Sequence, residues 1–273
     1  MNSQPPVFPD EPKIPILPNM LTAGNLICGF FSILTIFKGM KLDPGSAAAF
    51  EYYQLATYYI FAACIFDLLD GRVARMCNSD GPFGREFDSI ADVVSFGLAP
   101  ALLLSQAVLI KLPYPHVGDA VAIIYLLCAA LRLARFNCMA AAPRKPNQSS
   151  DFVGLPVPMA AGAVVSMMYL VIDVTDNRNM IISLPWQIAM AVSMTLVSLL
   201  MMSRVIYPSF KHVNGEKRGT TLGILGVVCV IFALIFFPWL VPAILFMVYL
   251  LYGLVVRPCL TRAMRRKLEA MDE

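Results

Sequence analysis

A bundle of membrane-spanning α-helices is the fold this sequence predicts, on three observations. Of its 273 residues, 58% are hydrophobic and only 14% are charged, with a mean hydropathy of +0.69. Soluble domains carry roughly 45–50% apolar and about 25% charged residues, so a single water-soluble core would have to hide more apolar side chain than it holds. Disordered chains are polar and charge-rich, which excludes that class as well. The second observation is spacing. Apolar runs close to the ~20 residues that cross a bilayer occur at about 20–37, 52–76, 84–110, 119–141, 155–174, 182–203, 219–237 and 239–256. The third is charge asymmetry. With the N-terminus inside, the outer loops hold Lys38, Lys41, Lys111 and Arg178, and the other seventeen of the 21 basic residues fall on the inner side. Basic residues are retained on the cytoplasmic side, so both termini are expected in the cytosol and the chain in the cytoplasmic (inner) membrane.

The elements follow in order. Residues 1–18 place prolines at 6, 9, 12, 15 and 18, a three-residue period suited to polyproline II and read here as an extended cytosolic tail. No cleavable signal peptide is expected, because this polar stretch has no apolar core ahead of a small-residue site. Residues 19–215 form the expected catalytic transmembrane domain, and 216–256 two accessory helices divided at Pro238. Residues 257–273 form a basic cytosolic tail, too short to predict a nucleic-acid partner. Glycine and proline inside the runs are tolerated in membrane helices. The seven cysteines form no CxxC or Cys/His cluster, and His116 and His212 are far apart in predicted loops. A zinc site, a disulfide framework and histidine catalysis are therefore not expected.

Four carboxylates interrupt the second and third runs: Asp67, Asp70, Asp88 and Asp92. A charge at mid-membrane costs at least about 2.5–3.5 kcal/mol on insertion scales and marks a functional candidate. Asp67 and Asp70 are spaced i,i+3 and Asp88 and Asp92 i,i+4, so each pair shares a helix face. Asp67 and Asp92 each stand nine positions from the turn at 76–83, roughly 12–14 Å deep at the helical rise, with Asp70 and Asp88 about a turn shallower. Gly71 and Gly84 leave room for a close backbone or a phosphate. Crowded anions need countercharge, and an oxygen-only donor set favours Mg²⁺ or Mn²⁺, with four carboxylates enough for two ions. Two other readings stand beside this one. The aspartates pair with Arg72, Arg75 and Arg85 to stabilise the bundle, or they line the cation path of an ion-coupled transporter.

The stretch Asp67-Leu-Leu-Asp70-Gly71-Arg-Val-Ala74-Arg75, eight residues, then Gly84-Arg-Glu-Phe-Asp88-Ser-Ile-Ala-Asp92 resembles the signature of the CDP-alcohol phosphotransferase family at all eight fixed positions. Three further segments resemble the branch of that family whose acceptor is L-serine. They are Pro18-Asn19-Met-Leu-Thr22-Ala-Gly-Asn25, Leu131-Arg132-Leu-Ala-Arg135-Phe136-Asn137, and Phe152-Val-Gly154-Leu155-Pro156-Val-Pro158. The resemblance covers roughly residues 15–215, and the last two helices carry no motif.

The resemblance implies a six-helix core plus about two extra C-terminal helices. It also implies transfer of the phosphatidyl group from CDP-diacylglycerol to L-serine with release of CMP. In the family, the positions of Asp67, Asp70 and Asp88 bind metal with the fourth aspartate nearby. The position of Asp92 serves as general base on the acceptor hydroxyl, or alternatively as a metal ligand only. Gly71, Ala74 and Arg75 match positions lining the CDP moiety, with Gly84 alongside. Asn19, Thr22 and Asn25 share one face and either contact the cytidine diphosphate or serve capping and helix packing. Arg132 and Arg135 either present their guanidinium forks to serine's carboxylate or the lipid phosphate, or snorkel to the interface. Arg204 and Lys211 are further basic candidates, and the loop 142–151 is either a cover or a plain connection. Other acceptors, glycerol 3-phosphate or inositol phosphate, and an ether-lipid donor are the alternatives within the same chemistry. Membrane lipids are the expected surroundings, and a homodimer is the family's common assembly.

Overall fold

The computed structural model describes residues 16–43, 46–77, 81–114, 116–141, 152–176, 183–207 and 240–256. Helix α1 (Ile16–Met40) packs antiparallel on α2 (Ala47–Met76), the most extensive helix contact among the described residues. After a short turn come α3 (Pro82–Asp92), a π-helical segment (Val93–Leu98) and α4 (Ala99–Ala107). Then follow α5 (Val117–Ala141), α6 (Val157–Asp176), α7 (Leu184–Met202) and α8 (Val241–Leu251), the last running on into a π turn over Tyr252–Val256. Six of the expected spans thus match helices to within a few residues, and the run at 239–256 matches α8 with its π turn. The run at 219–237, the proline-rich tail, the loop 142–151 and the basic C-terminus lie outside the described residues.

The chain is an integral membrane protein. Among the described residues, four stretches are long and apolar enough to cross a bilayer: Ile16–Met40, Pro82–Ala107, Val117–Met139 and Leu184–Met202, with mean hydropathies of 1.6 to 1.9. Ile27, Phe30, Phe31, Leu34 and Phe37 stand exposed on α1 at helical spacing, the arrangement of a lipid-facing stripe. Its opposite face is small and polar, with Thr22, Asn25, Gly29 and Ser32 buried. Membrane helices associate through such small-residue faces because lipid supplies no hydrophobic drive between them. At Gly29 a β-carbon would sit 2.7 Å from the Ser95 Cα, so only glycine lets α1 meet the π segment there.

Two features were not predicted. The run at 84–110 is not a uniform α-helix. Pro100 has no N–H, so the carbonyl of Phe96 loses its usual donor four residues on, and the Tyr125 hydroxyl of α5 donates to that carbonyl instead at 3.0 Å. The second is a short antiparallel ribbon, β1 (Phe152–Val153) on β2 (Ile206–Tyr207), with Phe152 opposite Tyr207. Gly154 leaves the ribbon at φ 81°, its N–H bonded to the Val205 carbonyl at 2.8 Å. A β-carbon there would lie 2.5 Å from the Met201 carbonyl, so the glycine of the Phe152–Pro158 segment is required by conformation and by space.

Candidate active site

The hairpin of α2 and α3 places Asp67, Asp70 and Asp88 so that one carboxylate oxygen of each lies within 4.8 Å of the others. Neither a histidine nor a cysteine joins this group among the described residues. Asp92, one turn further along α3 than Asp88, stands outside the trio and is only 5% exposed. The depth argument paired Asp67 with Asp92 and Asp70 with Asp88. In the folded hairpin, three carboxylates converge within 4.8 Å, and Asp92 lies outside that group but within electrostatic reach of Asp67 and Asp88.

Helix α1 supplies the groups that hold them. The Thr22 hydroxyl reaches Asp70 Oδ2 at 2.9 Å and the Pro18 carbonyl at 3.2 Å, and its one proton serves one of them at a time. Asn25 Nδ2 donates to Asp92 Oδ1 at 3.1 Å. The backbone carbonyl of Asn25 accepts from Ser95 Oγ at 3.0 Å, which fixes α1 against the π segment. Asp88 Oδ1 and Asn19 Nδ2 are buried with no hydrogen-bond partner among the described residues. Native structures rarely leave such atoms unsatisfied without a reason, a bound ion or ligand among them.

The two glycines of the motif mark space rather than backbone contact. A β-carbon on Gly71 would meet nothing within 4 Å, and one on Gly84 would meet only Asn19 Oδ1 at 3.4 Å. Asn19 and Gly84 are thereby adjacent across α1 and α3. Ala74 is half-buried one turn on from Gly71. Arg75 continues α2, and its side chain lies outside the described part.

The arginines of α5 separate. Arg132 is 8% exposed, its guanidinium 5.6 Å from the centre of the Phe136 ring and within electrostatic reach of Asp92. Burial of that kind does not fit a side chain snorkelling to the interface. Arg135 is less buried and reaches the Met202 carbonyl at 3.4 Å. Arg204 is exposed, and Lys211 lies outside the described residues. Among the described side chains the one acid–base pair within 4.0 Å is His116 with Asp119, on the far side of the bundle. The pairing of the four aspartates with Arg72 and Arg85 therefore has no contact to support it.

Sequence reasoning passed over Asn137. Its amide donates to Ser89 Oγ at 2.9 Å and to Glu86 Oε2 at 3.3 Å, tying α5 to α3 beside Asp88. Its place in the segment Leu131–Asn137 was the available signal. Ser95 gave none, because its partner is a backbone carbonyl seventy residues away.

These helices, carboxylates and spacings are matched by a family profile described as CDP-alcohol phosphatidyltransferase, over residues 15–197. The chain belongs to the CDP-alcohol phosphatidyltransferase family. It is accordingly an enzyme that transfers a substituted phosphate group, and its acidic cluster lies within the matched residues. Among curated proteins it is similar to the CDP-diacylglycerol–serine O-phosphatidyltransferase of Helicobacter pylori, 32% identical over 241 residues, covering 88% of this chain and 90% of the relative. The Bacillus subtilis protein of the same name is 31% identical over 201 residues, covering 74% of this chain and 94% of the relative. That of Saccharomyces cerevisiae is 36% identical over 155 residues, covering 55% and 52% respectively.

Proposed function

We propose that the chain transfers the phosphatidyl group of CDP-diacylglycerol to L-serine, yielding phosphatidylserine and CMP, at the cytosolic end of the bundle in the cytoplasmic membrane. The names of these relatives support serine as the acceptor. The observation that carries the chemistry is the division of the four carboxylates. Three converge within 4.8 Å, while Asp92, buried beside them, accepts a hydrogen bond from Asn25.

The trio fits a hard divalent cation, since its donors are all carboxylate oxygens and Asp88 Oδ1 is buried without another partner among the described residues. Asp67, Asp70 and Asp88 would hold Mg²⁺ or Mn²⁺. Such an ion, when bound, supplies positive charge against the diphosphate and the departing CMP. The protein's own groups do the rest. The open face at Gly71 and Gly84, with Ala74 and Arg75 along α2, admits the CDP moiety. The unpartnered Asn19 Nδ2 is a donor for it. Asp92, oriented by Asn25, takes the proton of the serine hydroxyl as that oxygen bonds to the lipid-bearing phosphorus and the bond to CMP breaks. Arg132 presents a fork to the serine carboxylate. Tests use the purified protein with CDP-diacylglycerol and Mn²⁺ or Mg²⁺, following CMP release with serine, glycerol 3-phosphate, inositol phosphate or no alcohol. Release that depends on serine is expected. Release with another alcohol and none with serine would overturn the acceptor, and no release with any alcohol would overturn the reaction.

A further inference from the structure

The exposed apolar side chains Ile124, Leu127 and Leu131 of α5 follow one another at helical spacing and form its lipid-facing stripe. Phe136 is exposed as well, but it stands about 140° round the helix from Leu131 at 100° per residue. The stripe therefore does not account for it. What it covers is Arg132, one turn back on the same face. The guanidinium carbon lies over the Phe136 ring, 5.6 Å from its centre. Arg132 is buried and has no carboxylate within 4.0 Å among the described residues. A buried cation without a counter-ion is costly unless a ligand supplies the anion. An aromatic face steadies such a cation while leaving its N–H donors to a ligand.

Two hydrogen-bonded contacts set the register of α5 against the helix that carries Asp88 and Asp92. The Tyr125 hydroxyl donates to the Phe96 carbonyl at 3.0 Å, and the Asn137 amide donates to Ser89 Oγ at 2.9 Å and Glu86 Oε2 at 3.3 Å. The two helices thus run antiparallel, and α5 packs on both α3 and the π segment. Arg132 falls between the two contacts, its backbone level with Asp92, while Phe136 is level with Asp88. Side chains on a helix lean toward its N-terminus, so an arginine left to itself here would lean past Asp92 toward Phe96. The ring one turn on draws the guanidinium the other way, back to the level of the carboxylates. The geometry points to Phe136 as a positioning residue that holds the Arg132 guanidinium beside the reacting centre, its fork open to the acceptor's carboxylate. This rests on the serine reading above and deepens it.

The test uses the full chain in lipid–detergent micelles and measures KM for L-serine and for CDP-diacylglycerol separately. Phe136→Leu keeps apolar bulk and removes the aromatic face. It is expected to raise the serine KM about tenfold, within the range of a desolvated cation–π contact, with the CDP-diacylglycerol KM unchanged. Phe136→Tyr keeps the face and restores the serine KM. Phenylalanine analogues with one, two and three ring fluorines at position 136 raise it stepwise, because fluorine drains the negative face while barely changing the ring's size. Arg132→Gln raises the serine KM as well, and adding Phe136→Leu raises it no further, because contacting residues are not additive. Leu131→Ala, on the lipid-facing stripe, leaves both KM values unchanged. An unchanged serine KM in Phe136→Leu would overturn the inference. So would a rise without a trend among the fluorinated rings, or a parallel rise in both KM values, which is the mark of a purely structural role. Failure of the serine reading is seen separately, in the wild-type protein, as CMP release with another alcohol and none with serine, and it overturns the inference with it.

Discussion

Two side chains of α1 set how the carboxylates divide their work. Thr22 reaches Asp70 at 2.9 Å and Asn25 reaches Asp92 at 3.1 Å, so one contact steadies the trio and the other the fourth acid. Groups that orient a metal ligand typically contribute 10–100-fold in affinity or activity. Thr22→Val, which keeps the shape and removes the hydroxyl, is therefore expected to weaken Mn²⁺ binding by about 10–100-fold, read by calorimetric titration of the purified protein. Asp92→Asn tests the other half. It preserves a partner for Asn25 but cannot take a proton, so CMP release should fall by at least about 10²–10⁴-fold while Mn²⁺ and CDP-diacylglycerol still bind. Loss of metal binding in that variant would make Asp92 a ligand rather than a base.

At the scale of elements, the helices were legible because each apolar run is long and bounded by polar turns. The interruption between α3 and α4 was not. A π segment over Val93–Leu98 shifts the helical period for only six residues, too few for a pattern to register. Pro100 was visible, but the Tyr125 hydroxyl that bonds the Phe96 carbonyl comes from another helix. Removing it deletes this buried hydrogen bond, so Tyr125→Phe should lower stability by about 0.5–1.5 kcal/mol, measured by denaturant unfolding in micelles. The ribbon of β1 and β2 escaped for a related reason, since two-residue strands show no alternation. Gly154 could be read only as a turn residue until its positive φ and the Met201 carbonyl beside it were seen. The site shows the same boundary. Acids in an apolar run at motif spacing identify Asp67, Asp70, Asp88 and Asp92, whereas the hydrogen bond that orients Asp92 comes from Asn25, sixty-seven residues distant.

Across the whole molecule, the acidic cluster is where three helices are joined. Asp67 and Asp70 come from α2, Asp88 from α3, and Thr22 ties α1 to Asp70. Like charges so close oppose the packing that brings them together, so a divalent cation bound by the trio should stabilise the bundle as well as serve the chemistry. An ion present at 100 times its Kd stabilises by about 2.7 kcal/mol, which for a chain of this size corresponds to a rise in Tm of about 5–10 °C. Mn²⁺ or Mg²⁺ added to chelator-treated protein should produce that rise and restore CMP release together. Asp88→Asn should lose both responses, because it removes the one ligand contributed by α3. A Tm insensitive to the ion, with CMP release undiminished in chelator, would show that the three carboxylates converge for another purpose.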